Sequence, residues 1–167
     1  ANGYEFEIIS VGDTDGSADF LEHAEGKIAQ CGENSGKAYD ITELKMKCSQ
    51  KEVFNVNGSS KVSEQFISFG GRWRSLVSYN VGNSAGLAFI RLDDSFKADI
   101  AACALHPALL DEATGVIRIA TGKNYLPFFY KKLRMFAPLT AEIYSYVRYE
   151  GAYDDAPNTI TCDIDLL

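Results

Sequence analysis

The segment His106-Pro107-Ala108-Leu109-Leu110-Asp111-Glu112-Ala113-Thr114-Gly115 constrains this chain more than any other. Proline is tolerated at the first position of a helix, where no backbone N–H is needed and a fixed φ is an advantage. After Pro107, the residues Leu110, Ala113, Thr114, Ile117 and Ala120 recur at helical spacing up to about Gly122. The pattern predicts a long, mostly apolar helix with Asp111 in its first turns. A carboxylate there is either stabilised by the helix dipole or buried beside an apolar tunnel with its pKa raised. The second arrangement is the one a general acid requires.

The remaining signals are those of an antiparallel sheet. Tyr4 to Ser10 alternates and then turns apolar, and Ala24 to Cys31 reads as a second strand after a loop rich in Asp and Gly at 13–17. Asp40-Ile-Thr-Glu43 has the form of a capping box opening a short helix to about Cys48. Another short helix is expected over 61–68, leading into Phe69-Gly70-Gly71, where paired glycines permit a tight turn. Leu76 to Val81 and Gly86 to Leu92 flank a hairpin at 82–85, and strands are expected at 125–136, 141–150 and 159–166. One long helix against six or seven antiparallel strands is an α+β layout, in one domain spanning residues 1–167.

Composition narrows the functional classes. With 46% hydrophobic residues and 12% aromatics the chain belongs with folded globules. A net charge of −7 disfavours nucleic acid, whose phosphates draw on clustered Lys and Arg. No run of eighteen apolar residues offers a membrane span, the acidic start is no signal peptide, and a cytoplasmic protein is expected. Cys31, Cys48, Cys103 and Cys162 match no metal pattern and read as free thiols. His23 and His106 are too few for a three-histidine metal site, so no metal is expected. His106 reads as a residue that caps the helix start or fills the strand–helix corner, and His23 as a half-buried strand-end residue. Lys131, Lys132 and Arg134 form the one dense basic cluster, either a solvated strand edge or a contact for an acidic partner.

Four segments, in order, resemble the hot-dog fold of polyketide synthase dehydratase domains, an antiparallel sheet wrapped around one long central helix. His106 to Asp111 matches the His-Pro-x-Leu-Leu-Asp motif letter for letter. Phe20-Leu-Glu-His23-Ala-Glu-Gly26 resembles an aromatic-x-x-His-Ala-x-Gly strand entry. Phe69-Gly70-Gly71-Arg72-Trp73-Arg74-Ser75-Leu76 resembles a Tyr-Gly-Pro-x-Phe-x-x-Leu segment, and Tyr125-Leu126-Pro127 the Leu-Pro opening the next strand. Those dehydratases are double hot-dogs, and this chain looks like the C-terminal half.

The resemblance implies removal of water from a β-hydroxyacyl thioester, carried on the phosphopantetheine of an acyl carrier protein, with no cofactor bound by the domain itself. Asp111 would be the general acid. Phe69, Gly70, Gly71, Trp73, His106, Pro107, Leu110 and Gly115 would line the substrate site, with Phe128, Phe129 and Tyr130 as further candidate tunnel or core residues. Expected partners are the acyl carrier protein and an N-terminal hot-dog half, or a second copy of the chain pairing as a dimer.

Three departures stand out. The family's base lies in a His-x-x-x-Gly-x-x-x-x-Pro motif of the other half, which His23 does not reproduce. Gly115 stands where Gln or His usually orients the aspartate, and Phe69 and Gly71 replace Tyr and Pro. The alternatives are therefore a non-catalytic acyl-binding or pairing half-domain, or an isomerase or cyclase variant of the fold.

Overall fold

The computed structural model describes residues 3–14, 17–30, 32, 36–54, 69–123, 125–150 and 159–167. Contacts divide the chain into two compact units, Ala1–Gly36 and Lys37–Leu167.

The first unit is an antiparallel hairpin of β1 (Gly3–Thr14) and β2 (Ser17–Ala29). β1 outruns its expected segment, β2 starts at Ser17 rather than Ala24 but stops at Ala29, and the ladder shifts register between Ile8 and Ile9, leaving His23 as the extra residue on β2. His23 is exposed in mid-strand rather than half-buried at a strand end, and its Nε2 lies 2.8 Å from Ser10 Oγ. The bulge explains the difference, because it turns the imidazole towards the opposite hydroxyl.

The second unit opens on α1 (Ile41–Lys47), whose first turn is capped as the sequence predicts: Thr42 and Glu43 N–H donate to Asp40 Oδ1. Five strands follow, β3 (Lys51–Phe54), β4 (Leu76–Val81), β5 (Ala85–Arg91), β6 (Glu142–Tyr149) and β7 (Cys162–Leu166), ordered β3-β4-β5-β6-β7 and antiparallel throughout. Between β5 and β6 run a 3₁₀ turn at Asp94–Phe96, the short helix α2 (Asp99–Ala102) and the long helix α3 (Pro107–Thr121).

Helix α3 begins at the predicted proline and ends at Gly122, which adopts φ 67° in the left-handed region that closes helices. Its buried stripe of Leu109, Ala113, Val116, Ile117 and Ala120 packs on Ala88, Ile90, Ile143, Val147 and Tyr149 of the sheet. Two devices set this approach. Gly86 leaves room for the helix, since a Cβ there would stand 3.3 Å from Val116 Cγ1. Ser145 Oγ, fully buried, donates 2.8 Å to the Ala113 carbonyl.

Strand side chains alternate between faces, so the neighbours of those residues point the other way. Leu87 and Tyr146 form a second core with Leu44 and Cys48 of α1. The sheet thus carries α3 on one face and α1 on the other.

The strand expected at 125–136 is absent. The segment is irregular, and Phe128 is 99% exposed and Phe129 77%. On both sides of β6 the hydrogen-bonding positions are taken, by β5 and β7, and Pro127 has no N–H to donate. The run therefore adds no strand next to β6. Lys131, Lys132 and Arg134 are exposed on this irregular segment, so they defend no strand edge. Strand β3 and helix α2 were not anticipated, and the helix expected at 61–68 lies outside the described residues.

Candidate functional site

Asp111 sits in the first turns of α3 with its side chain exposed. One partner holds it: the indole Nε1–H of Trp73 donates to Asp111 Oδ2 at 2.8 Å. Trp73 ends a 3₁₀ turn, Gly71–Trp73, closed by the Trp73 N–H to the Gly70 carbonyl at 3.0 Å. The glycines allow this turn to dock closely, since a Cβ on Gly71 would stand 3.1 Å from the Phe96 ring.

The turn is also pinned by charge. The Arg72 guanidinium lies 4.5 Å above the Phe96 ring and bonds Asp99 Oδ2 at 2.6 Å. His106, the residue before α3, is buried and places Nε2 3.7 Å from the same oxygen. Hydrogen bonding from Arg72, its charge and His106 together outweigh desolvation and hold the Asp99 carboxyl below its ordinary range. Arg72, Asp99 and His106 thus tie the glycine turn, α2 and the start of α3 together, and Trp73 reaches Asp111 from this clamp. Of the residues expected at the site, His106 belongs to the clamp, Pro107 and Gly70 are exposed, and Phe69 and Leu110 are half-buried.

The carboxyl whose pKa the surroundings raise is the half-buried one of the next residue, Glu112. Burial pushes Glu112 up from 4.5 to about 7, with Asp111 raising it further and Arg118 opposing the rise. The sequence offered a signal, since Glu112 adjoins the motif at the margin of the helix's apolar stripe. The signal is weak, because periodicity does not say how deep a margin lies. Gly115 leaves a gap on the helix that the side chain of Arg118 fills.

A separate hollow of about 470 Å³ lies on the α1 face of the sheet, among Lys37, Tyr39, Glu43, Lys47, Arg148 and Asp165. Tyr39 O–H donates to Asp165 Oδ2 at 2.5 Å, and Arg148 Nη1 bonds the same oxygen at 2.5 Å. Among the described residues no group of three His, Cys, Asp or Glu side chains is placed to hold a metal ion. Cys48, Cys103 and Cys162 are free thiols, and Cys31 lies outside the described residues.

An antiparallel sheet carrying one long helix is the hot-dog architecture. Residues 40–167 match the family described as polyketide synthase dehydratase N-terminal domain, and the chain belongs to that family. The description names the half opposite to the one the sequence suggested. Among curated proteins, polyketide synthase PksM of Bacillus subtilis strain 168 is 25% identical over 154 residues, covering 86% of this chain and 4% of that protein.

A trans-AT polyketide synthase dehydratase domain from Brevibacillus brevis superposes with a TM-score of 0.84 at 20% identity, over 99% of this chain and 59% of that one. The dehydratase domain of the CurF module of curacin polyketide synthase gives 0.79 at 23% identity, over 99% and 58%. The chain therefore spans under two thirds of the solved dehydratases it resembles. No single helix among the described residues is long and apolar enough to cross a membrane.

Proposed function

We propose that the chain, over residues 1–167, is the C-terminal hot-dog half of a polyketide synthase dehydratase and supplies Asp111 as its general acid. The observation that carries this reading is the placement of Asp111 by the His-Pro-x-Leu-Leu-Asp segment at the start of α3, with its carboxylate held by Trp73. In the dehydration, a base removes the proton from the α-carbon of a β-hydroxyacyl thioester. The β-carbon–oxygen bond breaks as Asp111 gives its proton to the departing hydroxyl, and an enoyl thioester and water result.

The base comes from outside this chain. His23 and His106 are its two histidines; His23 is bonded to Ser10, and His106 is buried in the Arg72–Asp99 clamp. A two-residue mechanism has support in a relative: the CurK dehydratase has been solved as an inactive Asp-to-Asn mutant and as an inactive His-to-Phe mutant. A facing half would exclude water from Asp111, as proton donation to the departing hydroxyl requires. That half is an N-terminal hot-dog unit or a second copy in a two-fold dimer.

An acyl carrier protein brings the substrate on its phosphopantetheine, and the domain itself binds no cofactor. Residues 113–141 contain Arg118, Lys123, Lys131, Lys132 and Arg134 and no acid, a local positive stretch on a chain of net charge −7. With Phe128 and Phe129 exposed beside these cations, it suits an acidic, partly apolar carrier surface. The cytoplasm is the compartment of such an assembly.

The test is Asp111→Asn in the complete synthase, followed by mass spectrometry of the carrier-bound acyl group. Loss of the 18-dalton dehydration step with carrier loading intact is expected; unchanged turnover removes Asp111 from the mechanism. The exposure of Asp111 and the bare Gly115 favour one second reading, a hot-dog half that binds or pairs without chemistry. Its signature is a β-hydroxyacyl group that binds the assembled halves and is never dehydrated. An isomerase or cyclase variant would change the product with no loss of water.

A further inference from the structure

Asp99 joins the two elements on which the candidate acid depends. Its Oδ2 accepts from Arg72 Nε at 2.6 Å, and His106 Nε2 stands 3.7 Å from the same oxygen. Arg72 is the neighbour of Trp73 in the Gly71–Trp73 turn. His106 is the residue before α3, and its carbonyl accepts the Leu110 N–H at 3.0 Å, closing the first turn of the helix. The indole that donates to Asp111 and the carboxylate that accepts it therefore hang from two arms meeting at a single oxygen atom.

We propose that Asp99 is a positioning residue for the general acid, setting through Arg72 and His106 the place of the Trp73 indole relative to the Asp111 carboxylate. This rests on the reading of Asp111 as the acid and deepens it.

Three observations favour placement over stability as the work of this oxygen. The Arg72 and Asp99 side chains keep 48% and 33% of their surface exposed, and ion pairs so open to water contribute little to folding. The His106 imidazole is buried, and its Nδ1 has no hydrogen-bond partner among the described residues, so Asp99 is the polar group its ring faces. The turn itself is seated closely: a Cβ on Gly71 would stand 3.1 Å from the Phe96 ring, over which the Arg72 guanidinium lies at 4.5 Å. Asp99 is ionised at neutral pH, its carboxyl held below the ordinary range first by the hydrogen bond from Arg72. The contact it governs is sensitive to small displacements. A bond of 2.8 Å between Trp73 and Asp111 leaves the ordinary N–H···O range after a shift of about 0.5 Å.

Trp73 is the chain's single tryptophan, so one indole N–H resonance in the NMR spectrum reports on its bond to Asp111. The experiment follows that resonance in the full 167-residue chain, with circular dichroism as a check on the fold. Asp99→Ala is expected to move it in the direction that Asp111→Asn does. Asp99→Asn, which keeps an oxygen for Arg72, is expected to move it less far the same way, and it carries the test if the alanine variant does not fold. In the complete synthase Asp99→Ala should lower kcat for dehydration about three- to tenfold, with KM and carrier loading held. In a Trp73→Phe background the same change should lower it little further, because both act through one hydrogen bond.

An indole resonance unmoved by Asp99→Ala and Asp99→Asn in a folded chain overturns the proposal, as does full additivity of Asp99→Ala with Trp73→Phe in the synthase. Should Asp111→Asn leave dehydration intact, the acid assignment fails while the resonance still reports whether Asp99 places Trp73.

Discussion

Trp73 and Asp111, 38 positions apart in sequence, are joined by a single hydrogen bond from an indole N–H to a carboxylate oxygen at 2.8 Å. Hydrogen bonds to charged groups contribute about 1.5–3 kcal/mol when sheltered and less when exposed. Trp73→Phe keeps an aromatic ring on the turn and removes the donor. In the complete synthase it should lower dehydration about three- to tenfold without changing carrier loading. In the isolated chain, Asp111→Asn should shift the Trp73 indole proton upfield in the NMR spectrum; an unmoved resonance would show that the bond does not form in solution.

Glu112 makes stability fall as pH rises. Its folded pKa of about 7 lies above the ordinary 4.5, so between these values the folded state holds a proton that the unfolded state has lost. Stability therefore declines from about pH 4.5 to about pH 7 and stays at the lower level above. Glu112→Gln removes the penalty. It should stabilise the chain by up to about 3 kcal/mol at pH 8 and leave it unchanged at pH 4, as read by urea denaturation at the two values.

Asp165 acts with the opposite sign. Burial pushes its carboxyl up, but the hydrogen bonds from Tyr39 and Arg148 outweigh burial and leave it below 3.8. The stability it contributes is present above that value and is lost as pH falls through the lowered pKa. Tyr39→Phe should cost about 1 kcal/mol at pH 7, and the difference from wild type should vanish in strong acid. A cost that persists unchanged at pH 2 would mean that ring packing on Tyr146, 5.9 Å away, is the greater part.

Gly86 measures how closely helix and sheet approach. A valine there would press on Val116 and on Ala120, whose Cβ is 3.5 Å from the new Cβ position. Overpacking of this kind costs about 1–3 kcal/mol, so Gly86→Val should lower the urea midpoint without changing the slope. Gly122→Ala probes a different cause, the positive φ of the residue that closes α3. It should cost about 1 kcal/mol by strain with no contact altered.

Much of this architecture was legible in the sequence because local chemistry decided it. Pro107 and Gly122 bracket α3, Asp40 caps α1, and the alternation from Leu76 to Arg91 marks two adjacent strands. Residues 125–136 read as a strand by their own side chains, but a strand also needs a neighbour, and both sides of β6, the strand that follows them, are taken by β5 and β7. The sequence places Asp111 and Trp73, which the structure brings together in one hydrogen bond, but does not show the surroundings of Glu112, Asp99 or Arg118. Those surroundings come from depth, from a helix of only four residues and from an arginine lying over a glycine, none of which leaves a periodic trace.

Strand β6 serves both layers of the molecule at once. Ser145 and Val147 look towards α3, while Tyr146 and Arg148 look towards the hollow by α1. Adding or removing a single residue near its start would exchange those two sets, stripping α3 of its seat and the far hollow of its arginine in one stroke. Length changes in this strand are tolerable only in even steps, so two chemically unrelated surfaces share one genetic constraint.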